Sequence, residues 1–110
     1  MKLNESPYER IKLGKKKIEL RLYDEKRRKL NLGDIIIFSK LPNLIDSQQA
    51  KIIGLLRYNS FKELIEDFSL SYFGYPNNYD KDKFIEKMYE IYSPEKEKKY
   101  GVLGIKLELI

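Results

Sequence analysis

Helix-start signals and short apolar segments alternate so closely along this sequence that no helix or strand can be long. Residues 6–9 (SPYE) and 60–63 (SFKE) have the spacing of a capping box, in which Ser and Glu side chains satisfy free amides of a helix's first turn. They predict helices over residues 7–13 and from residue 60 onward, and apolar periodicity predicts a third over residues 80–92. Residues 93–94 (SP) predict only a brief turn.

Segments with strand character fill the gaps between these helices. They are residues 17–23, which alternate apolar and polar side chains, 35–38, 52–58 and 102–110, with residues 1–4 as a short fifth. Residues 35–38 (IIIF) are continuously apolar, which predicts a strand covered on both faces. Four or five short strands with about three helices in 110 residues predict one α+β domain over residues 1–110, built on a small curled sheet or barrel.

The excess positive charge is concentrated in one segment. The formal net charge is +5, yet residues 9–29 contain ten Lys or Arg and four Asp or Glu, so the rest of the chain is slightly acidic. Such clustering is typical of a surface that binds a polyanion. The alternative is a solvated face that only keeps the protein soluble.

The sequence contains no Cys and no His, which limits its chemistry. Disulfides and thiolate reactions are excluded, and a catalytic site would have to use Lys, Glu, Asp, Tyr, Ser or backbone groups. We expect no metal and no cofactor. The N-terminal residues lack the apolar core of a signal peptide and no apolar run has membrane-spanning length, so we expect a cytoplasmic protein without a membrane partner.

Residues 14–21 (GKKKIELR) combine a helix stop with a polar strand face. Gly14 ends the first predicted helix, and strand alternation then places Lys17, Glu19 and Arg21 on one face. Glu19 and Arg21 would stand roughly 6.5–7 Å apart along the strand. On spacing alone, a weak surface ion pair explains this pattern as well as a binding site does.

The order Gly14-x-Lys16-x-x-Glu19-x-Arg21 resembles the G-x-K-x-x-E-x-R signature of the ASCH domain, a family of the PUA-like superfamily. Three further segments resemble the same family in the same order. They are residues 29–38 (KLNLGDIIIF), residues 58–64 (YNSFKEL), and residues 88–92 (MYEIY) followed by 100–105 (YGVLGI). The resemblance covers about residues 7–109.

The resemblance implies a PUA-like β-barrel with a cleft that receives RNA or a nucleotide-like ligand. It assigns Lys16, Glu19 and Arg21 to the cleft and Gly14 to the turn that positions them. Lys16 and Arg21 would contact phosphate, or Arg21 a base edge, and Glu19 would orient Arg21 or accept from an exocyclic amine.

Residues that follow the signature would extend this site. The cations Lys26, Arg27 and Arg28, with Lys29, would continue the positive rim along an RNA backbone, although a solvated turn explains them equally well. Tyr23, and to a lesser degree Tyr75, would offer stacking surfaces.

Two classes of function remain open at this point. The first is an RNA- or nucleotide-binding module of unknown oligomeric state. The second is an enzyme, in which Lys16 and Glu19 would be catalytic. The resemblance allows an amidohydrolase acting on an acylated nucleoside such as N4-acetylcytidine, or a ribonuclease. In the amidohydrolase branch a Thr stands where this chain has Glu19, and a Glu that the branch uses has no counterpart in residues 75–78.

Overall fold

A five-stranded sheet with the strand order β1-β3-β4-β5-β2 forms the centre of the computed structural model, which describes residues 1–110. The strands are β1 (Lys2–Leu3), β2 (Ile18–Leu22), β3 (Ile35–Lys40), β4 (Ser47–Tyr58) and β5 (Val102–Leu109). β1 pairs with β3 in parallel, and the other neighbours are antiparallel. The sheet curls into a half-barrel, so its two edge strands, β1 and β2, approach each other.

Four α-helices pack around the sheet, where the sequence predicts about three. They are α1 (Glu5–Lys12), α2 (Phe61–Asp67), α3 (Lys81–Ile91) and α4 (Pro94–Tyr100). The fourth helix replaces the brief turn expected after Ser93, because the Ser93 hydroxyl accepts from the Lys96 amide and Pro94 occupies the first turn. Short 3₁₀ turns occur at Arg27–Lys29 and Leu70–Tyr72.

The capping signals were correct at one helix and wrong at another. At α2 the Ser60 hydroxyl accepts from the Glu63 amide, as the SFKE pattern predicts. α1 instead begins two residues before the predicted start, with Asn4 as its N-cap and no side-chain cap. Ser6 therefore lies inside the helix. Pro7 is tolerated there because a first-turn residue needs no intrahelical amide bond.

The prediction that residues 35–38 form a fully covered strand is wrong. Ile36 and Phe38 are buried, whereas Ile35 and Ile37 are 50% and 53% exposed. β3 lies between β1 and β4, and its outer face has no helix over it, so only alternate side chains reach the core. β4 also begins at Ser47 rather than at residue 52.

Two apolar clusters lie on opposite faces of β5, and the apolar side chains of β2 all belong to the second of them. The first lies inside the half-barrel against α1 and contains Tyr8, Ile11 and Phe38. The second lies under α2 and α3 and contains Ile18, Phe61 and Phe84. The polar face of β2 is also shielded, because Glu19 is buried and Arg21 is only partly exposed. This shielding places the predicted site residues in a partly dry environment.

Candidate functional site

The turn before β2 is held in place from both sides. The carbonyl of Arg10, on α1, accepts from the amides of Lys15 and Lys16 at 2.9 and 3.0 Å. The amide of Lys17 donates to the carbonyl of Tyr72 at 2.7 Å, next to a bridge between Lys16 and Phe73. The helix stop and the following loop therefore fix where the Lys16 side chain leaves the backbone.

Gly74 allows this close approach. Its φ is +85°, and a Cβ at this position would lie 2.9 Å from Cδ of Arg10 and 3.3 Å from Cβ of Lys16. Gly14 has a φ of +73° in the turn itself, but the space around it is open. Of these two glycines, Gly74 is thus the one required for both its backbone conformation and the space it leaves.

Glu19 lies at the centre of the site, and the structure brings all three signature side chains together around it. Its Oε1 accepts from Nζ of Lys16 at 2.9 Å and from the Leu20 amide at 3.0 Å. Its Oε2 accepts from Nη2 of Arg21 at 3.4 Å. The Glu19 residue is only 3% exposed, and the side chains of Lys16 and Arg21 are 12% and 17% exposed.

This environment keeps the Glu19 carboxylate charged. Burial by itself would raise the pKa of Glu19, because the charged form loses hydration. The charges of Lys16 and Arg21, with hydrogen bonds from Lys16 and the Leu20 amide, outweigh that effect and hold the pKa below its ordinary value of 4.5. At neutral pH, Glu19 is therefore an acceptor with no proton to donate.

Arg21 connects the two edges of the curled sheet. Besides its contact with Glu19, Nη2 donates to the main-chain oxygen of Lys2 on β1 at 3.4 Å. Its Nε is buried and makes no hydrogen bond. A hydrogen bond with the Arg21 guanidinium also opposes the rise in the pKa of the Tyr92 hydroxyl that burial causes. Arg21 thus has donors left for a ligand, although part of the side chain serves the fold.

The opposite wall of the site combines cations with aromatic rings. Cζ of Arg10 lies 4.4 Å from the centre of the Tyr75 ring, and Nζ of Lys87 lies 5.3 Å from the same ring. Tyr75 also packs edge-on against Phe84, with the ring centres 5.2 Å apart. These are cation–π and aromatic contacts that hold the wall together without a carboxylate.

The two walls enclose a cleft of about 540 Å³, which we call the ion-pair cleft. Five basic residues line it, Lys2, Arg10, Lys16, Arg21 and Lys87, and two acidic residues, Glu19 and Glu90. Its formal net charge is thus +3, even though Glu19 neutralises part of the positive charge. Its volume is within the usual range for small-ligand sites.

Comparison with known proteins identifies the family. The family model of the ASCH domain matches residues 1–110. The chain belongs to the ASCH domain family. The crystal structure of hypothetical protein PH0355 is similar over 100% of both chains, with 40% identity and a TM-score of 0.83. The solution structure of protein PF0455 from Pyrococcus furiosus is similar over 100% of this chain and 98% of its own, with 37% identity and a TM-score of 0.73. No curated protein matches the chain.

The predicted rim residues of this ASCH domain lie outside the ion-pair cleft. Arg27 pairs with Asp24 at 3.3 Å, and Nε of Arg28 donates to the Tyr23 carbonyl at 3.2 Å. Lys26 is exposed beside them. Burial raises the pKa of the Tyr92 hydroxyl, and the charges of Arg21 and Arg27 oppose that shift. Tyr23 lies in a separate depression of the surface.

Sequence reasoning missed Arg10, Lys87 and Tyr92 as residues of the cleft. Arg10 precedes the ASCH signature and lines the cleft because the turn before β2 folds back onto the end of α1, where the Arg10 carbonyl accepts from the Lys15 and Lys16 amides. Lys87 could have been noticed, because it lies three residues after Phe84 and one before Met88 on the helix face that meets the cleft. Tyr92 follows α3, and its hydroxyl lies 3.5 Å from the Leu20 carbonyl.

No group of three or more Asp or Glu side chains is placed to hold a metal ion. None of the helices has the length and apolar character needed to cross a membrane.

Proposed function

We propose that this ASCH domain binds RNA or a nucleotide-like ligand in the ion-pair cleft. The observation that carries the proposal is a buried, charged Glu19 flanked by Lys16 and Arg21, in a cleft of net charge +3. A purely structural ion pair would not need three further cations around it. The membership of the ASCH family, which is generally linked to RNA binding, supports the same conclusion.

The three residues divide the recognition of such a ligand. Nζ of Lys16 makes one hydrogen bond within the protein and the Arg21 guanidinium has more donors than partners, so both can donate to a phosphate or to a base carbonyl. Glu19 can accept only, because its low pKa keeps it ionised, and Oε2 accepts a single bond in the free protein. A carboxylate in this state is suited to the exocyclic amine of a base such as cytosine.

The 2.9 Å contact between Lys16 and Glu19 favours one further function, hydrolysis of an acylated nucleoside such as N4-acetylcytidine. A Lys and a Glu in contact within a nucleoside-sized cleft could move a proton during attack by water. The lowered pKa of Glu19 makes it a weak base, however, and therefore favours binding over catalysis. The lowered pKa of Glu19 argues against ribonuclease activity for the same reason, because that reaction would also need Glu19 as a base.

Binding of short single-stranded RNAs at two salt concentrations tests the proposal. Wild type, Arg21→Ala and Lys16→Ala are compared by fluorescence anisotropy, with Lys51→Ala as a control that removes an exposed cation from β4, outside the cleft. We expect salt-sensitive binding by wild type and the control, and a loss of at least about tenfold in the two cleft variants. No binding by wild type at low salt, to RNA or to mononucleotides, would show that the proposal is wrong.

The same samples decide between binding and catalysis. After incubation, chromatography of the RNA and of added N4-acetylcytidine shows whether either has been cleaved. Recovery of both intact, with binding retained, supports a binding module. Release of acetate that disappears in Lys16→Ala and Glu19→Gln would support the hydrolase.

A further inference from the structure

Two further depressions continue the ion-pair cleft along β2. The first, of about 640 Å³, shares Glu90, Ile91 and Tyr92 with the cleft and reaches Leu22 and Asp24. We call it the middle depression. It shows that the surface beyond the cleft stays concave where β2 passes under the end of α3.

The second, of about 720 Å³, is lined by Tyr23, Arg57, Lys98 and Lys99, and it shares Tyr100 with the middle depression. We call it the Tyr23 depression. Each depression therefore shares lining residues with the next, from the start of β2 to the residue after its end. Neither the family signature nor the position of Glu19 requires this continuity.

The Tyr23 depression holds cations that have no partner of opposite charge. Cζ of Arg57 lies 4.2 Å from the centre of the Tyr23 ring, and Cζ of Arg28, which is not part of the lining, lies 4.6 Å from the same ring; neither guanidinium is in an ion pair. Lys98 and Lys99 are exposed and also unpaired, although Glu63 lies in the same wall. Like charges gathered beside one ring repel each other, and a bound anion would relieve that repulsion.

The middle depression has a different character. Tyr89, Tyr92 and Tyr100 supply most of its aromatic surface. Of its charged residues, Asp24 is paired with Arg27, whereas Glu90 and Lys96 are exposed and of opposite charge. This surface is suited to the faces of bases rather than to phosphates, which the cationic depressions at either end would attract.

We infer that the three depressions form one groove for single-stranded RNA of several nucleotides, anchored by phosphates at both ends. This inference rests on the proposed function and adds that the ligand is a polymer. Glu19 and Tyr23 are separated by four residues of extended chain, roughly 13 Å. A nucleotide held in the ion-pair cleft would leave the Tyr23 depression free, so only a longer RNA would gain from both.

The length dependence of binding tests the groove. Affinities for cytidine monophosphate and for a mixed-sequence RNA octanucleotide are measured for wild type, Arg57→Ala and Lys98→Ala/Lys99→Ala. These residues are exposed, so the variants are expected to fold normally, which thermal melting checks. Arg21→Ala reports on the ion-pair cleft, and Lys51→Ala is the matched control on β4.

We expect Arg57→Ala to weaken octanucleotide binding about tenfold while leaving the mononucleotide unaffected. The slope of log affinity against log salt should fall by about 0.7 for each RNA phosphate that the variant no longer neutralises. Arg21→Ala should weaken both ligands. Polyglutamate of equal charge should displace the octanucleotide poorly, because it cannot stack on the tyrosines.

Two results would overturn the groove. In the first, Arg57→Ala and Lys98→Ala/Lys99→Ala both bind the octanucleotide with wild-type affinity and wild-type salt slope, while Arg21→Ala binds it more weakly. This result would leave the proposed function intact. In the second, polyglutamate displaces the octanucleotide as efficiently as unlabelled RNA does, which would mean that charge alone drives binding. Absence of binding to either nucleic-acid ligand by wild type would instead count against the proposed function itself.

Discussion

Arg21 on β2 donates to the main-chain oxygen of Lys2 on β1 across 3.4 Å, and this contact joins the two edge strands of the half-barrel. The same guanidinium contacts Glu19 in the ion-pair cleft. The residue proposed to grip the ligand therefore also helps to close the sheet. A ligand that draws Arg21 away from Lys2 would loosen β1 as it binds.

Replacement of Arg21 should loosen β1 selectively. The amides of Ser39 and Leu41 donate to the carbonyls of Met1 and Leu3, so their hydrogen exchange reports on the attachment of β1. In Arg21→Ala we expect exchange of these two amides to be about two- to tenfold faster, since one modest hydrogen bond is removed. Amides in the centre of β4 should change less. Unchanged protection of Ser39 and Leu41 would mean that the contact contributes nothing to the closure of the sheet.

Neutralisation of Glu19 should be costly for stability. In Glu19→Gln the cations of Lys16 and Arg21 lose their counter-charge in a largely buried place, and we expect a loss of about 2–4 kcal/mol in the free energy of unfolding. Urea denaturation at pH 7 measures it. Glu90→Gln, at an exposed position of the same cleft, is the control and should change stability by less than about 0.5 kcal/mol. Equal effects of the two substitutions would contradict the assigned role of Glu19.

The stability that Glu19 contributes should also depend on pH in a defined direction. Its pKa is lower in the folded protein than the ordinary 4.5, so below that pH the unfolded chain binds the proton first. The contribution is complete above pH 4.5 and is lost as the pH falls through the folded-state pKa. Urea denaturation of wild type and Glu19→Gln is measured between pH 7 and pH 3. The difference between their free energies of unfolding should be constant down to about pH 4.5 and should become smaller below that pH. If this difference in the free energy of unfolding instead grew as the pH fell, folding would raise the pKa of Glu19 rather than lower it.

Gly74 and Gly14 form a matched pair of substitutions. Both have positive φ, so alanine at either position costs about 1–2 kcal/mol of backbone strain. At Gly74 the new methyl group would also meet Arg10 and Lys16, whereas at Gly14 it meets nothing. We expect Gly74→Ala to be the more destabilising in urea denaturation and to weaken RNA binding, while Gly14→Ala keeps its affinity. Similar behaviour of both variants would show that the Gly74 contact does not position the cleft.

Glu97 links three helices through one buried carboxylate. Its Oε2 accepts from the Phe61 amide at the start of α2, at 2.9 Å, and its Oε1 accepts from the Tyr89 hydroxyl of α3, at 2.8 Å. Glu97→Ala would leave the buried Phe61 amide unpaired, and we expect a loss of about 1–3 kcal/mol in the free energy of unfolding. Glu95→Ala, exposed on the same helix, serves as the control. Tyr89→Phe should cost less, because it removes one partly exposed hydroxyl and leaves the buried Phe61 amide paired with Glu97.

The local sequence was sufficient to predict several elements of this protein. The alternation of residues 17–23 predicted β2, the serine at position 60 predicted the start of α2, and the order of signature residues identified the family and its fold. These features depend on neighbours along the chain, where periodicity and capping chemistry act directly.

The sequence was misleading where an element's environment depends on distant parts of the chain. Residues 35–38 have the composition of a doubly covered strand, yet no helix packs over Ile35 and Ile37. Glu19 was predicted on a polar strand face and is buried instead, because α1 and the loop before Gly74 close over it.

The sequence by itself therefore determined the secondary structure near β2, the family and four residues of the ion-pair cleft, Lys16, Glu19, Arg21 and Tyr75. Only the tertiary structure determined the rest of the site. Arg10, Lys87 and Tyr92 come from α1, from α3 and from the residue after α3, and Arg57 and Lys98 join Tyr23 from β4 and α4. The physical reason is that alternation fixes the side of a strand on which a residue lies, whereas packing of distant segments fixes what faces it.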